Sequence, residues 1–282
     1  MTNIKIALEL GASKLKKSSS TPMLDAEILL CLILNKNRLD LINIENKPLT
    51  NDQHLKFMSS IIRRSNFEPI AYITKQKEFW SKNIHTNKNT LIPRPETEVL
   101  VDMTLTFLKN KKRPTFLDLG TGTGCISIAL ASEIKHIKGV AIDNCNKTLK
   151  ICRHNLIHNN VSDKVIIKKR DILNNKFTQK FDLLISNPPY LREREFINIC
   201  KSIKYFEPKN TLVADKYDGL KYLHFIIKNY RNNLKKNGIL ALEIGNHQFK
   251  KVGFMLKNYR FRLLKSFNLI NNDIRCIIAT KI

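Results

Sequence analysis

The chain has 282 residues, 43% apolar and 26% charged, which suits one large or two modest globular domains and excludes a disordered polyelectrolyte. It has no run of ~20 apolar residues and no basic-then-apolar leader at its start, so neither a membrane span nor a secretory signal is expected. Its net charge is +25: residues 1–80 carry 12 basic and 8 acidic side chains, a net of +4, and residues 81–282 carry the other +21. Such an excess attracts nucleic acid or an acidic partner, or reflects compositional drift in a Lys-, Asn- and Ile-rich chain. Drift is the favoured reading, because the bases are spread over many segments rather than interleaved with aromatics. The six cysteines are scattered, with no Cys-x-x-Cys pair and no histidine at metal spacing. They read as reduced thiols in a cytoplasmic protein without a metal site.

In chain order, Ile4 to Leu10 has mixed amphipathic helical character. Thr21-Pro22 supplies a cap and a first-turn proline for a helix from Met23 to Leu34, and Asn51-Asp52 opens another that runs to about Arg64. Residues 1–66 therefore form a small helical domain, either a docking module or an accessory bundle that only stabilises the fold. Residues 67–92 alternate apolar and polar positions around Phe79-Trp80 and read as a β-hairpin linker, with Trp80 in interdomain packing. From Pro93 to the end, 93–282, helices and strands alternate, which predicts an α/β domain with a mostly parallel sheet.

Within that domain Thr115-Phe116-Leu117-Asp118-Leu119 reads as a buried strand. It runs into Gly120-Thr121-Gly122-Thr123-Gly124 and then into an apolar helix, Cys125 to Ala131. Strand, glycine-rich turn and helix form the nucleotide-binding opening of a Rossmann-like sheet, where glycine lets a ligand approach the backbone. The spacing is not Gly-x-Gly-x-x-Gly, which disfavours a dinucleotide, and no Gly-Lys-Ser/Thr ending makes it a P-loop. A second strand, Gly139 to Ile142, ends in Asp143, placed to hold ribose hydroxyls. A third, Lys164 to Lys168, leads to Asp171, which could accept from an adenine amino group, with Ile172 packing beside it. Asp118 could meet a cofactor or brace the glycine loop.

Phe181 to Ser186 is another buried strand, stopped by Asn187-Pro188-Pro189-Tyr190, since two prolines cannot continue a ladder. An Asn oxygen and a neighbouring carbonyl are two fixed acceptors. Together they suit a planar NH2 group with two protons to place, and the tyrosine offers a face for a flat group. The late strands are Ile239 to Ile244 and Ile274 to Ala279.

With these motifs the chain resembles class I S-adenosylmethionine-dependent methyltransferases, and among them the release-factor glutamine methyltransferases. Further segments carry the likeness: Glu68-Pro69-Ile70-Ala71-Tyr72-Ile73, Glu78-Phe79-Trp80, Leu91-Ile92-Pro93-Arg94-Pro95-Glu96-Thr97-Glu98, Phe206-Glu207-Pro208, Asp218-Gly219-Leu220 and Leu242-Glu243-Ile244-Gly245. The resemblance spans essentially the whole chain. One departure lies in the segment 268–275, which lacks an acid and a glycine near its start.

The resemblance implies a class I methyltransferase sheet with helices on both faces, its last strands forming an added antiparallel edge. It implies S-adenosyl-L-methionine as cofactor, held by Gly120, Thr121, Gly122, Thr123, Gly124, Asp143, Asp171, Ile172 and Asn187. The implied substrate is the glutamine of the Gly-Gly-Gln motif in class 1 peptide-chain release factors, held by Asn187, Pro188, Pro189 and Tyr190. Asn187, Pro188 and Tyr190 are the catalytic residues on this reading. A monomer with no specific nucleic-acid partner is expected. Asn-Pro-Pro-Tyr also occurs in enzymes that methylate base amino groups of DNA or RNA, which is the alternative. A binding protein that merely keeps the fold would not need its glycines, Asp143 and Asn187.

Overall fold

The computed structural model describes residues 2–268 and 273–282, so that Leu269 to Asn272, within the departing segment 268–275, lie outside the described residues. The chain forms two compact units, Met1–Gln76 with Cys200–Phe206, and Lys77–Ile199 with Glu207–Ile282. No helix among the described residues is long and apolar enough to cross a membrane.

The first unit contains α1 (Ile4–Leu15), α2 (Pro22–Leu34), α3 (Arg38–Asn43), α4 (Asn51–Ser65) and α5 (Ile70–Ile73). Asn3 caps α1 by accepting from the Ile6 amide, and Thr50 and Gln53 form a reciprocal capping box on α4. Thr21, expected as a cap, makes no side-chain cap bond, and Pro22 alone marks that start. Leu15, Leu29, Leu30, Phe57 and Ile61 close the bundle core. The turn at α5 falls inside the stretch read as hairpin, so the hairpin proper is shorter. It consists of β1 (Gln76–Phe79) and β2 (Lys82–His85). Trp80 and Ser81 between them both have positive φ, as a type I′ two-residue hairpin turn requires. The Trp80 amide and indole donate to Glu98 and Glu133 within the second unit, so the expected interdomain role is not what these bonds show.

The second unit continues with α6 (Pro95–Leu108), β3 (Thr115–Leu119), α7 (Cys125–Glu133), β4 (Lys138–Asp143), α8 (Asn146–His158) and β5 (Val165–Lys169). Then come β6 (Phe181–Ser186), β7 (Leu191–Arg192), α9 (Glu193–Asn198), α10 (Lys201–Phe206, grouped with the first unit) and β8 (Val213–Asp215). The chain finishes with α11 (Lys221–Asn229), β9 (Leu234–Glu243), α12 (Phe249–Asn258), β10 (Phe261–Asn268) and β11 (Ile274–Lys281).

Seven strands form one sheet in the order β10-β11-β9-β6-β3-β4-β5. All six positions of β6 are buried, as expected of a parallel strand covered on both faces. Alternate side chains feed two cores. Phe116, Ala141 and Leu183 meet α6, α7 and α8, whereas Leu117, Val140, Leu184 and Leu240 meet α11 and α12. One expectation is corrected here. β9 runs parallel to β6, so only β11 and β10 make the antiparallel edge.

The chain leaves β3 toward β4 and β5 on one side and returns through β6 and β9 on the other. The sheet thus reverses its strand order between β3 and β6, which lie side by side in parallel with Asp118 opposite Ile185. Open α/β sheets bind ligands beyond the strand ends at such a reversal.

Candidate active site

The ends of β3 and β6 are tied together, Ser186 Oγ donating to the Leu119 carbonyl at 2.6 Å. Beyond them lies a cavity of about 320 Å³, a size that holds a small organic ligand. Gly120 to Thr123, Asp143, Asp171, Ile172 and Asn187 line it, along with residues 88–91, 93–94, 208 and 210–211.

The loop is held from below and from the side. The amides of Gly120 and Thr121 both donate to the Ile142 carbonyl, at 3.0 and 2.8 Å. Gly120, Gly122 and Gly124 all have positive φ. A Cβ on Gly124 would sit 2.8 Å from Cys152 Sγ, while one on Gly122 would meet nothing within 4 Å. The backbone at Gly122 is therefore bare where it borders the cavity, as a close-approaching ligand requires. Asp143 accepts from the Gly122 amide (3.2 Å) through one oxygen and from the Cys145 amide (2.9 Å) through the other. Each oxygen keeps a lone pair free, so Asp143 both staples the loop and can receive hydroxyls. Burial raises its pKa, partly offset by those amides. Asp171 is exposed and accepts from the Leu173 amide. Buried Ile172 packs under Gly120, its Cδ1 3.0 Å from where a Gly120 Cβ would lie.

Asp118 does not border the cavity. Its Oδ2 accepts from Thr121 and Ser127, each at 2.7 Å, which favours the bracing role. Complete burial drives its pKa from 3.8 to about 6, against the opposing pull of the two hydroxyls. Between those values the native protein holds a proton that the unfolded chain has released. Stability therefore falls as pH rises through this window, by about 3 kcal/mol for this group. Asp118→Asn is expected to remove that component, and urea midpoints at pH 3.5 and 7 for both proteins measure it.

Asn187 follows β6 directly and lines the cavity. Its Nδ2 donates to Thr97 Oγ1 at 3.0 Å, and Thr97 donates to Glu243 Oε2 at 2.6 Å. Thr97 stands in the first turn of α6 and Glu243 at the end of β9, both buried. Arg275 Nη2 is 3.3 Å from the other Glu243 oxygen and donates to the Tyr190 hydroxyl, while its guanidinium lies 4.4 Å from the Tyr190 ring centre. Burial raises the Glu243 pKa and Arg275 opposes it. Burial also pushes the Tyr190 hydroxyl upward. At the cavity's far side Glu207, buried, accepts from Arg94 (2.5 Å) and from the Ile92 amide (3.2 Å). That single carboxylate ties residues 92–94 to residues 207–211.

The structure thus brings together Gly120, Thr121, Gly122, Thr123, Asp143, Asp171, Ile172, Asn187 and Pro189 around one cavity. Gly124, Pro188 and Tyr190 fall outside its lining: Pro188 is buried, and Arg275 covers the Tyr190 ring. Sequence reasoning did not single out Thr97, Glu243 or Arg275 as site residues. Thr97 and Glu243 sit inside quoted motifs, so their positions were visible and their pairing was not. No group of three or more His, Cys, Asp or Glu side chains among the described residues is placed to hold a metal ion.

This sheet, with a glycine loop after β3 and an amide-bearing Pro-Pro turn after β6 at the reversal, defines a methyltransferase. A family model described as the methyltransferase small domain matches residues 97–204, and one described as the PrmC N-terminal domain matches residues 7–74. The release factor glutamine methyltransferase of Buchnera aphidicola subsp. Schizaphis graminum is 37% identical over 279 residues, covering 99% of both chains. That of Shewanella oneidensis is 35% identical and covers 97% of this chain and 94% of its own. The chain belongs to the release factor glutamine methyltransferase family. The hMettl16 catalytic domain, solved in complex with MAT2A 3'UTR hairpin 6, aligns with a TM-score of 0.56 over 82% of each chain. At 14% identity it shares the fold.

Proposed function

We propose that the protein transfers a methyl group from S-adenosyl-L-methionine to the side-chain amide nitrogen of the glutamine in the Gly-Gly-Gln motif of class 1 release factors, in the cytoplasm. The observation that carries this reading is Asn187 on the cavity wall with its NH2 already committed to Thr97, which leaves Oδ1 as an acceptor for a substrate NH2. The names of relatives matched over nearly their whole length support a release factor as the methyl acceptor.

The residues present fit the cofactor: a bare backbone at Gly122, a carboxylate at Asp143 for paired hydroxyls, and apolar Ile172 beside Asp171 for a base. When bound, the sulfonium supplies a methyl already activated for in-line displacement. The protein's part is to position a poor nucleophile. An amide lone pair is delocalised; Asn187 Oδ1 on the cavity wall takes one amide proton and aims the nitrogen, with the carbonyl of Pro188, a residue outside the cavity lining, as the proposed second acceptor. As the new bond forms the nitrogen becomes more acidic, so these acceptor bonds strengthen in the transition state. Once the carbon–nitrogen bond has formed and the carbon–sulfur bond has broken, the cationic nitrogen is acidic enough to give one proton to water, so no general base is needed among these residues.

Asp143→Ala is expected to weaken cofactor binding by roughly 1.5–3 kcal/mol, the scale of hydrogen bonds to a charged group. Calorimetry with S-adenosylmethionine reads it, and unchanged affinity removes Asp143 from the site.

The function is tested by incubating the protein with methyl-labelled cofactor, a release factor and nucleic acid together. Label is expected on one glutamine of the release factor, and Gln→Ala in its Gly-Gly-Gln motif is expected to abolish it. Efficient labelling of adenine with the release factor untouched overturns the proposal.

A further inference from the structure

We propose that Thr97 and Glu243 are positioning residues that set which way the Asn187 amide faces, and that Glu243 also holds Tyr190 in place through Arg275. The inference rests on the reading that Asn187 Oδ1 receives the substrate amide.

The argument is one of proton counting. Paired with the Arg275 guanidinium, Glu243 is taken as a carboxylate, which only accepts, and its Oε2 lies 2.6 Å from Thr97 Oγ1. The single hydroxyl proton of Thr97 is therefore spent on Glu243, and toward Asn187 the hydroxyl can only accept. Of the two ends of the Asn187 amide only Nδ2 can donate, and it lies 3.0 Å from Thr97 Oγ1. The two ends of an amide are nearly equal in shape, so shape does not choose between them. Thr97 does, and it leaves Oδ1 as the end available to a substrate. The flipped amide would set an NH2 against a substrate NH2, donor against donor.

The relay is itself anchored. Thr97 is buried in the first turn of α6, whose entry is fixed by Pro95. Glu243 is completely buried at the end of β9, beside β6, with Ser186 opposite Leu242. Arg275 from β11 balances its charge and reaches Tyr190. Three strands and one helix thus converge on a carboxylate that itself does not border the cavity. Glu243 in this way braces the first and last residues of Asn187-Pro188-Pro189-Tyr190.

Thr97→Val keeps the shape and removes the hydroxyl, whereas Thr97→Ser keeps the hydroxyl. With a release factor as substrate, Thr97→Val is expected to lower kcat roughly 10- to 100-fold, the range seen when one positioned contact is lost. Thr97→Ser is expected to restore kcat to within about threefold of wild type, and both variants to bind S-adenosylmethionine within about threefold, well below the effect of a lost charge-assisted bond. Glu243→Gln keeps the shape, and because the Arg275 guanidinium only donates, the amide oxygen faces Arg275 and the NH2 faces Thr97, which reverses the relay; it is expected to fall with Thr97→Val. The relay is overturned if Thr97→Val or Glu243→Gln keeps wild-type kcat. It is overturned equally if Thr97→Ser falls as far as Thr97→Val, or if the loss appears in cofactor affinity rather than kcat. Wild-type protein that labels no glutamine defeats the functional reading instead, which separates the two failures.

Discussion

Replacing Asn187 with alanine is expected to lower methyl transfer at least about 1,000-fold while leaving the fold intact, a loss at the upper end for one contact that strengthens in the transition state. The side chain supplies the acceptor that fixes one amide proton. Thr97, bonded behind it, is anchored in the first turn of α6 and by its bond to Glu243, one side chain further from the substrate. The structural cost is small by comparison. One bond to Thr97 disappears, at a half-buried position, for about 1 kcal/mol. Single-turnover labelling and thermal unfolding separate the two quantities. A variant that retains a tenth of the wild-type rate places the nucleophile's anchor elsewhere.

Gly139→Ala is expected to destabilise the sheet-bearing unit by about 3 kcal/mol, the upper part of the range for an overpacked core. Gly139 pairs with Phe116 across β3 and β4, and the Phe116 ring lies flat over the place a Cβ would occupy. Three ring carbons would overlap it. Phe116 is itself fully buried among α6, α7 and α8 side chains, so the ring has nowhere to go. An alanine in a strand gains about 0.5–1 kcal/mol over glycine from backbone entropy, which is too little to compensate. For a unit of this size the shift is about 6–12 °C in Tm. Adding Phe116→Leu to Gly139→Ala is expected to recover much of the loss, since it removes the overlapping atoms. Recovery that fails to appear locates the damage in the backbone rather than the ring.

What could be read in the chain follows from how local the chemistry is. Two prolines stop a strand wherever they fall, so the end of β6 and the exposure of Asn187 were legible. Three glycines between an apolar strand and an apolar helix leave few alternatives, and the loop is where it was expected. The relay is different. Thr97 and Glu243 are 146 residues apart, and each looks ordinary alone: a threonine in a helix's first turn, an acid at a strand end. Only the packing of α6 on β9 makes them neighbours, and the pairing of β9 with β6 sets Asn187 beside them. The parallel direction of β9 was missed because a strand's own residues do not state its direction. β10 was not foreseen for a related reason. After Phe261 its residues are all exposed, and Leu263 and Leu264 stand together where an alternating pattern would separate them. Phe116 over Gly139 is the same lesson in the core: a glycine in a strand is visible, but the ring that demands it is not.

The two rims of the sheet give the large positive charge a second meaning. Among the described residues β10 and β5 end the sheet, each with no further strand on its outer side, and exposed Leu263, Leu264 and Phe267 stand on one and Ile166 on the other. Such borders invite another copy to zip on. Arg262 and Lys265 stand on the first, Lys168 and Lys169 on the second, all exposed. Two molecules meeting border to border would set cation against cation, a standard deterrent to strand capture. Part of the +25 charge thereby acts as colloidal insulation, and it weakens as added salt shortens the reach of that repulsion.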